Sequence, residues 1–116
     1  MALMDKTATI ANGQTTSDTI DTGLLSTYSQ TAFIAITFPA SMTGTAMTFQ
    51  RASTSTGTFT TLREVGGANA YSITVTSSTT VPLDPRVFLN AAFIKCVSGS
   101  SETGAKSLTL HFHEVV

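Results

Sequence analysis

Charged side chains are scarce in this chain of 116 residues. Only 11% of the residues are Asp, Glu, Lys or Arg, and the net charge at pH 7 is −1. The basic residues are scattered singly, at Lys6, Arg51, Arg63, Arg86, Lys95 and Lys106. Because nucleic-acid binding depends on clustered cations that displace counterions from phosphates, this pattern predicts no nucleic-acid partner.

Cysteine and tryptophan are almost missing as well. The single Cys96 excludes a disulfide within the chain, and we interpret it as an interior thiol that behaves as a small hydrophobe. There is no Trp and only two Tyr, whereas platforms that bind sugars use exposed planar rings. Tyr28, in the polar stretch LLSTYSQ, is the one candidate for an interface or glycan contact.

Long apolar runs are also absent. No stretch approaches the 18 or more apolar residues that span a bilayer. The first 14 residues lack the basic start and apolar run of a secretory signal. We therefore expect no membrane partner, and synthesis in the cytoplasm without export.

No motif for catalysis or metal binding stands out. His111 and His113 are two apart in the last predicted strand, so both should lie on one face, opposite Leu108, Leu110 and Phe112. A zinc site would need further ligands from elsewhere. There is no G-x-S-x-G elbow, and only these two histidines could act as a base for a nucleophile. We predict no enzyme, no catalytic residue, no metal ligand and no cofactor.

Threonine and serine, which supply roughly a third of the residues, dominate what is present. A chain rich in β-branched residues and poor in helix formers favours sheets. Alternating patterns predict strands at residues 7–10, 19–22, 33–38, 45–51, 59–65, 71–75, 81–83, 93–97 and 107–115. Pro85 can begin one helical turn. The prediction is an all-β fold, a jelly-roll-like antiparallel β-sandwich of eight or nine short strands with at most one helical turn near 85–90.

Two features of this pattern concern contacts with other molecules. Residues 33–38, FIAITF, are apolar on both faces apart from Thr37, which predicts a strand covered on both sides. Lys and Pro, which protect the edge strands of monomers, are few. We therefore expect the edges or faces of the sheet to meet neighbours in an assembly.

Several segments together resemble short phage and prophage proteins that are structural components of virions. They are SDTIDTG (17–23), ITFPASMTGTAMTFQ (36–50), GTFTTL (57–62), VPLDPRVF (81–88), FIKCVSG (93–99) and LTLHF (108–112). The resemblance implies a β-sandwich that decorates or cements the capsid exterior at capsomer junctions. Its expected partners are the major capsid protein and neighbouring copies of itself, grouped as trimers.

The domain boundaries expected from this pattern are a flexible N-terminal arm at residues 1–6 and a single sandwich at 7–116. The arm would consist of Met1, Ala2, Leu3, Met4, Asp5 and Lys6 and would reach onto a neighbour. Two alternatives to capsid decoration stay open. One is a head or tail appendage that binds host surface glycan through Tyr28, and the other is a minor tail or connector subunit. The number of copies per virion separates the three.

Overall fold

The structure, a computed structural model, describes residues 3–22, 30–88 and 91–115. These residues form nine strands and one short 3-10 helix. The strands are β1 (Leu3–Ile10), β2 (Ile20–Asp21), β3 (Gln30–Thr37), β4 (Ala46–Ala52), β5 (Thr60–Thr61), β6 (Ile73–Thr74), β7 (Thr80–Pro82), β8 (Phe93–Ser98) and β9 (Lys106–Val115). The 3-10 helix spans Pro85–Phe88. The predicted all-β fold and the single helical turn near Pro85 are confirmed.

The nine strands form two antiparallel sheets packed as a sandwich. The four-stranded sheet has the order β1-β9-β3-β7, and the five-stranded sheet has the order β2-β8-β4-β5, with β6 also pairing with β4. Each early strand pairs with a late strand, and successive pairs belong alternately to the two sheets. These pairs are β1 with β9, β2 with β8, β3 with β7, and β4 with β6. The chain is thus one long hairpin rolled up on itself, which is the jelly-roll arrangement.

The first strand begins earlier than the sequence pattern indicated. Leu3, Met4, Asp5 and Lys6 belong to β1, and their Cα partners are residues 110–113 of β9. The start of the sandwich therefore moves from residue 7 to residue 3, because β9 is long enough to pair with all eight residues of β1. Met1 and Ala2, the rest of the expected arm, lie outside the described residues.

Four phenylalanine rings fill the centre of the sandwich. Phe33 stacks on Phe112 of the same sheet, with centroids 5.0 Å apart, and meets Phe49 of the opposite sheet edge-on at 5.9 Å. Phe88 of the 3-10 helix lies 4.8 Å from Phe33 and 5.1 Å from Phe49. The short helix therefore contributes Phe88 to one continuous core shared by the two sheets.

In the segment predicted as a strand at 59–65, Thr60–Thr61 form β5, the Leu62 N–H donates to the Phe49 carbonyl oxygen of β4, and Arg63 forms an isolated bridge with Ala70. After Leu62 the chain leaves the edge of the five-stranded sheet as an excursion, held at its base by the Tyr71 N–H donating to the Leu62 carbonyl oxygen at 2.9 Å. Leu62 packs against the core, whereas Val65 is 50% exposed at the tip. Gly66, at φ 74°, reverses the chain there in a conformation that favours glycine.

Candidate functional site

The outer face of the four-stranded sheet carries the most distinctive group of side chains. Strand β3 turns Phe33 and Ile36 into the core. Its register against β9 shifts by one residue between Phe33 and Ala35, so Ile34 forms a β-bulge. Ile34 and Ala35 are half-buried and line a concavity on the outer side of the sheet. The sequence predicted that this strand is covered on both faces. The described residues bury only its inner face fully, and its outer face stays partly open.

The concavity has a volume of about 350 Å³. Its lining combines apolar groups with hydroxyl, imidazole and carboxylate groups from four strands: Asp5, Ile34, Ala35, Thr37, Thr80, His111 and Phe112. Pockets that hold ligands join an apolar wall to a few placed polar groups in this way. The site therefore has the composition of a binding surface.

A chain of hydrogen bonds crosses this face from β1 to β7. His111 Nδ1 lies 2.8 Å from Asp5 Oδ1, and His111 Nε2 lies 2.7 Å from Thr37 Oγ1. Thr37 Oγ1 lies 2.7 Å from Thr80 Oγ1. Because a carboxylate only accepts, His111 Nδ1 carries the hydrogen and donates to Asp5. His111 Nε2 and the Thr37 hydroxyl share the second hydrogen bond, and the Thr37 and Thr80 hydroxyl groups share the third, so every strand of the sheet is tied to its neighbour.

The order carboxylate, imidazole, hydroxyl is also the one that activates nucleophiles in hydrolases. The surroundings of Thr37 differ from such a site. The N–H group of Phe38, next in the chain, donates to the Thr79 carbonyl oxygen at 2.9 Å and is taken up by the sheet. Asp5 is 62% exposed, although the carboxylate that orients a catalytic imidazole is usually buried. The geometry fits a polar cross-strand ladder better than a site for acyl transfer.

The two histidines lie as the sequence predicted. His111 and His113 are half-buried on the outer face of β9, and Leu108, Leu110 and Phe112 are buried on the inner face. In the described residues, no three His, Cys, Asp or Glu side chains gather in a group that could hold a metal ion. His111 is instead shared between Asp5 and Thr37. Its partners could not have been found from sequence, because they are 106 and 74 residues away along the chain.

The remaining predicted site residues have structural contacts or lie outside the described ranges. Met4 is half-buried against the core, and the Lys6 ammonium group donates to the carbonyl oxygen of Asp21. Among the described residues of the expected arm, Asp5 alone lines the concavity. Tyr28, the expected interface or glycan contact, lies outside the described residues.

A second polar cluster, at one end of the sandwich, was not predicted. Glu102 is 1% exposed, and its carboxylate accepts from the Thr43 and Gly44 N–H groups, both at 2.8 Å, and from the Ser98 hydroxyl at 2.7 Å. A Cβ atom on Gly44 would lie 2.0 Å from Ser98 Oγ, so only glycine fits this approach. With all its acceptors facing protein donors, this carboxylate joins two loops and is closed to outside ligands.

By its fold and its outer face, the protein is a jelly-roll β-sandwich that presents a surface of apolar and hydroxyl groups. Comparison of the chain with protein-family models, curated proteins and solved structures finds no match. In the described ranges no helix is long and apolar enough to cross a membrane. The functional conclusion therefore depends on the surface itself.

Proposed function

We propose that this protein is a non-enzymatic structural component of a phage virion, which decorates or cements the outside of the capsid at capsomer junctions. The observation that carries the proposal is the outer face of β3, where Ile34 and Ala35 line an apolar concavity that the described chain leaves open. An open concavity with an apolar wall and a few placed polar groups has the usual composition of a site where another molecule binds. The resemblance to virion proteins points to the same class.

The low charge of the sheet supports repeated docking. Among the described side chains that line the concavity, Asp5 carries the one fixed charge, and the N–H group at His111 Nδ1 donates to it at 2.8 Å. Hydroxyl and methyl groups of Thr37 and Thr80 complete the surface. Because the Thr37 and Thr80 hydroxyl groups already have hydrogen-bond partners, they lose little hydration energy when the surface is covered. A capsid offers the same local site many times, so modest contacts gain strength through repetition.

The fold supports the proposal by analogy alone. Jelly rolls are common in capsid and lectin domains, and fold does not by itself fix function. The lectin alternative, an appendage that binds host glycan, requires contacts that include Tyr28. A minor tail or connector subunit differs from both in copy number.

Counting copies on purified particles of the virus that encodes the chain tests the proposal. We expect a stoichiometry near that of the major capsid protein and a position on the capsid exterior. A few copies per particle, confined to the tail or the connector, would contradict capsid decoration. Glycan-array binding that Tyr28→Ala abolishes would favour the appendage.

A matched pair of variants tests whether the four-stranded face does the docking. Thr80→Lys places a cation at the rim of the concavity, and Thr60→Lys places the same cation at an exposed position on the other sheet. We expect Thr80→Lys to lower particle occupancy at least tenfold and Thr60→Lys to leave it unchanged. Equal occupancy of both variants would show that the docking surface lies elsewhere.

A further inference from the structure

The edge strands of the two sheets differ in length. The strands β2, β5, β6 and β7 contain two or three residues each, and β7 ends in Pro82, which has no N–H group. Strand β1 contains eight residues, Leu3–Ile10, and among the described strands it pairs with β9 alone. Because native sandwiches usually shorten or cover their edges, a long edge strand is the exception in this molecule.

The two halves of β1 differ in how their outward backbone groups are bonded. In the second half, Asp18 takes both outward groups of Thr9, because its Oδ1 accepts from the Thr9 N–H and its own N–H donates to the Thr9 carbonyl oxygen. Alternation along the strand turns the same groups of Asp5 and Thr7 outward as well. Both residues are exposed, and no hydrogen bond joins these groups to another part of the described chain. Leu3–Thr7, which we call the uncovered half of β1, therefore offers donors and acceptors to another molecule.

We propose that the uncovered half of β1 binds an extended segment of the major capsid protein, which adds a fifth strand to the four-stranded sheet. The identity of this partner rests on the proposed function. Outward N–H and C=O groups on alternate residues repeat about every 7 Å along a strand, and another extended backbone carries groups with the same repeat. The uncovered half also adjoins the concavity through Asp5, so one partner can cover both.

A second copy of β1 matches this edge poorly. The antiparallel register that pairs all of Leu3–Thr7 with its copy is centred on Asp5 and places two carboxylates directly opposite each other. The register centred on Lys6 places two ammonium groups opposite each other, and like charges in this position destabilise a strand pair. Registers displaced further pair only three described residues of each strand or reach Thr9, whose outward groups Asp18 holds. The edge therefore favours a strand from a different chain.

The charges around the uncovered half favour a basic partner strand. Three residues with carboxylates lie at this edge: Asp5, Asp18, whose Oδ1 accepts from β1, and Asp21, whose carbonyl oxygen accepts from Lys6. Among the residues that the structure describes at this edge, Lys6 carries the one ammonium group, and His111 donates to Asp5. The carboxylates are in excess, so Lys or Arg opposite Asp5 would complement the edge.

Amide hydrogen exchange of the full chain tests whether this edge is open and then becomes paired. In the isolated protein we expect the Thr7 N–H to exchange much faster than those of Lys6 and Ala8, which bond to β9. On purified particles we expect the Asp5 and Thr7 amides to exchange at least about a hundredfold more slowly than in the isolated protein, and the exposed turn at 53–57 to be unchanged. A Thr7 amide already protected in the isolated monomer, or one left unprotected on particles, would overturn the proposal.

Two substitutions at one position separate backbone pairing from side-chain contact. Thr7→Pro removes the outward N–H, and Thr7→Val keeps that N–H and the β-branched shape. Both variants should fold, because this N–H takes no part in the pairing with β9, and circular dichroism checks this. We expect Thr7→Pro to lower particle occupancy at least tenfold and Thr7→Val to leave it unchanged. Equal occupancy of the two variants would overturn strand addition.

The results also separate strand addition from the proposed function. If the chain occupies the capsid exterior while Thr7→Pro binds as well as wild type, strand addition is overturned and capsid decoration stands. If the Asp5 and Thr7 amides of the isolated protein become protected as its concentration rises and sedimentation shows a dimer, the occupant is a second copy and the proposal is overturned. If the chain is absent from the capsid, capsid decoration and the partner proposed for β1 both fail.

Discussion

Glu102 is a carboxylate that the fold removes almost completely from water. Burial alone would raise the pKa of Glu102, but the N–H groups of Thr43 and Gly44 and the hydroxyl of Ser98 outweigh it and hold that pKa below its ordinary value. The backbone of Glu102 also takes part, since Gly13 donates to its carbonyl oxygen at 2.8 Å. One residue thereby joins three loops at one end of the sandwich.

We predict that Glu102→Gln destabilises the protein by about 2 kcal/mol at pH 7, because hydrogen bonds to a charged acceptor are lost and an amide N–H₂ must face N–H donors. Urea unfolding measures the change. The control is Glu64→Gln at an exposed position, which should alter stability by less than about 0.5 kcal/mol. Equal effects of the two variants would mean that the carboxylate cradle contributes nothing.

The lowered pKa of Glu102 gives this effect a pH dependence with a definite sign. A carboxyl whose folded pKa lies below its unfolded pKa contributes its full stability above the unfolded value, about 4.3 for glutamate. That contribution falls as the pH drops towards and through the folded pKa. The stability difference between wild type and Glu102→Gln should therefore be constant from pH 6 to 8 and shrink below about pH 4. A difference that grows on acidification would contradict this account.

Cys96 illustrates a residue whose role the sequence did predict. The thiol is fully buried in β8, and burial raises its pKa to about 12. Because the thiolate is the reactive form, we expect no reaction with a disulfide reagent at pH 8 in the folded protein, and reaction of one thiol per chain in urea. Rapid reaction without denaturant would show that β8 opens locally. The scarcity of cysteine was enough for this prediction, whereas nothing near Glu102 in the sequence distinguishes it from the other residues of its polar loop.

At the scale of elements, β1 shows how an edge strand is fixed in register. Thr9 turns both backbone groups away from β9, since its N–H donates to Asp18 Oδ1 and its carbonyl oxygen accepts from the Asp18 N–H. Because backbone direction alternates along an antiparallel pair, Thr7 also points its N–H away from β9, while Lys6 and Ala8 bond to it. Asp18 thus covers part of the open edge.

Proline substitutions test this alternation. Lys6→Pro removes an N–H that faces β9 and should destabilise the protein by about 3 kcal/mol, whereas Thr7→Pro removes one that faces away and should cost less than about 1 kcal/mol. Denaturant midpoints of the two variants give the comparison. If Thr7→Pro lowers stability more than Lys6→Pro, the N–H group of Thr7 must face β9. The register described for β1 and the contact between Asp5 and His111 would then both be wrong.

Alternation predicted the location of all nine strands, and it was most accurate where one face is buried, as in β4, β8 and β9. It was less accurate at 59–65, where only Thr60–Thr61 form a strand and the chain leaves the sheet after Leu62. It also could not reveal the bulge at Ile34, because an inserted residue changes no residue type. The concavity depends on that bulge and on contacts between β1, β3, β7 and β9. Its existence was therefore beyond the reach of local patterns, although the apolar character of both faces of β3 was visible.

At the scale of the whole molecule, the two ends of the described chain lie side by side. Leu3 is paired with His113, and β1 and β9 remain adjacent along their length. Every pairing of the four-stranded sheet joins residues that are far apart in sequence, so closure of the sheet needs both halves of the chain. Folds with such non-local pairing fold slowly, in milliseconds to seconds, and should unfold as one cooperative unit.

A circular permutant tests this view of the molecule. We consider a permutant in which a short glycine linker joins residue 116 to residue 1 and the new ends lie in the exposed turn at 53–57. It should preserve the sandwich, because Leu3 and His113 near the old ends are paired. The new ends lie in a turn closed by the Gly57 N–H and the Thr54 carbonyl oxygen. New ends placed between Ile36 and Thr37 should instead prevent folding, since β3 pairs with both β9 and β7. Circular dichroism and urea unfolding distinguish the two permutants, and a stable fold from the second would show that β3 is not the strand on which the four-stranded sheet depends.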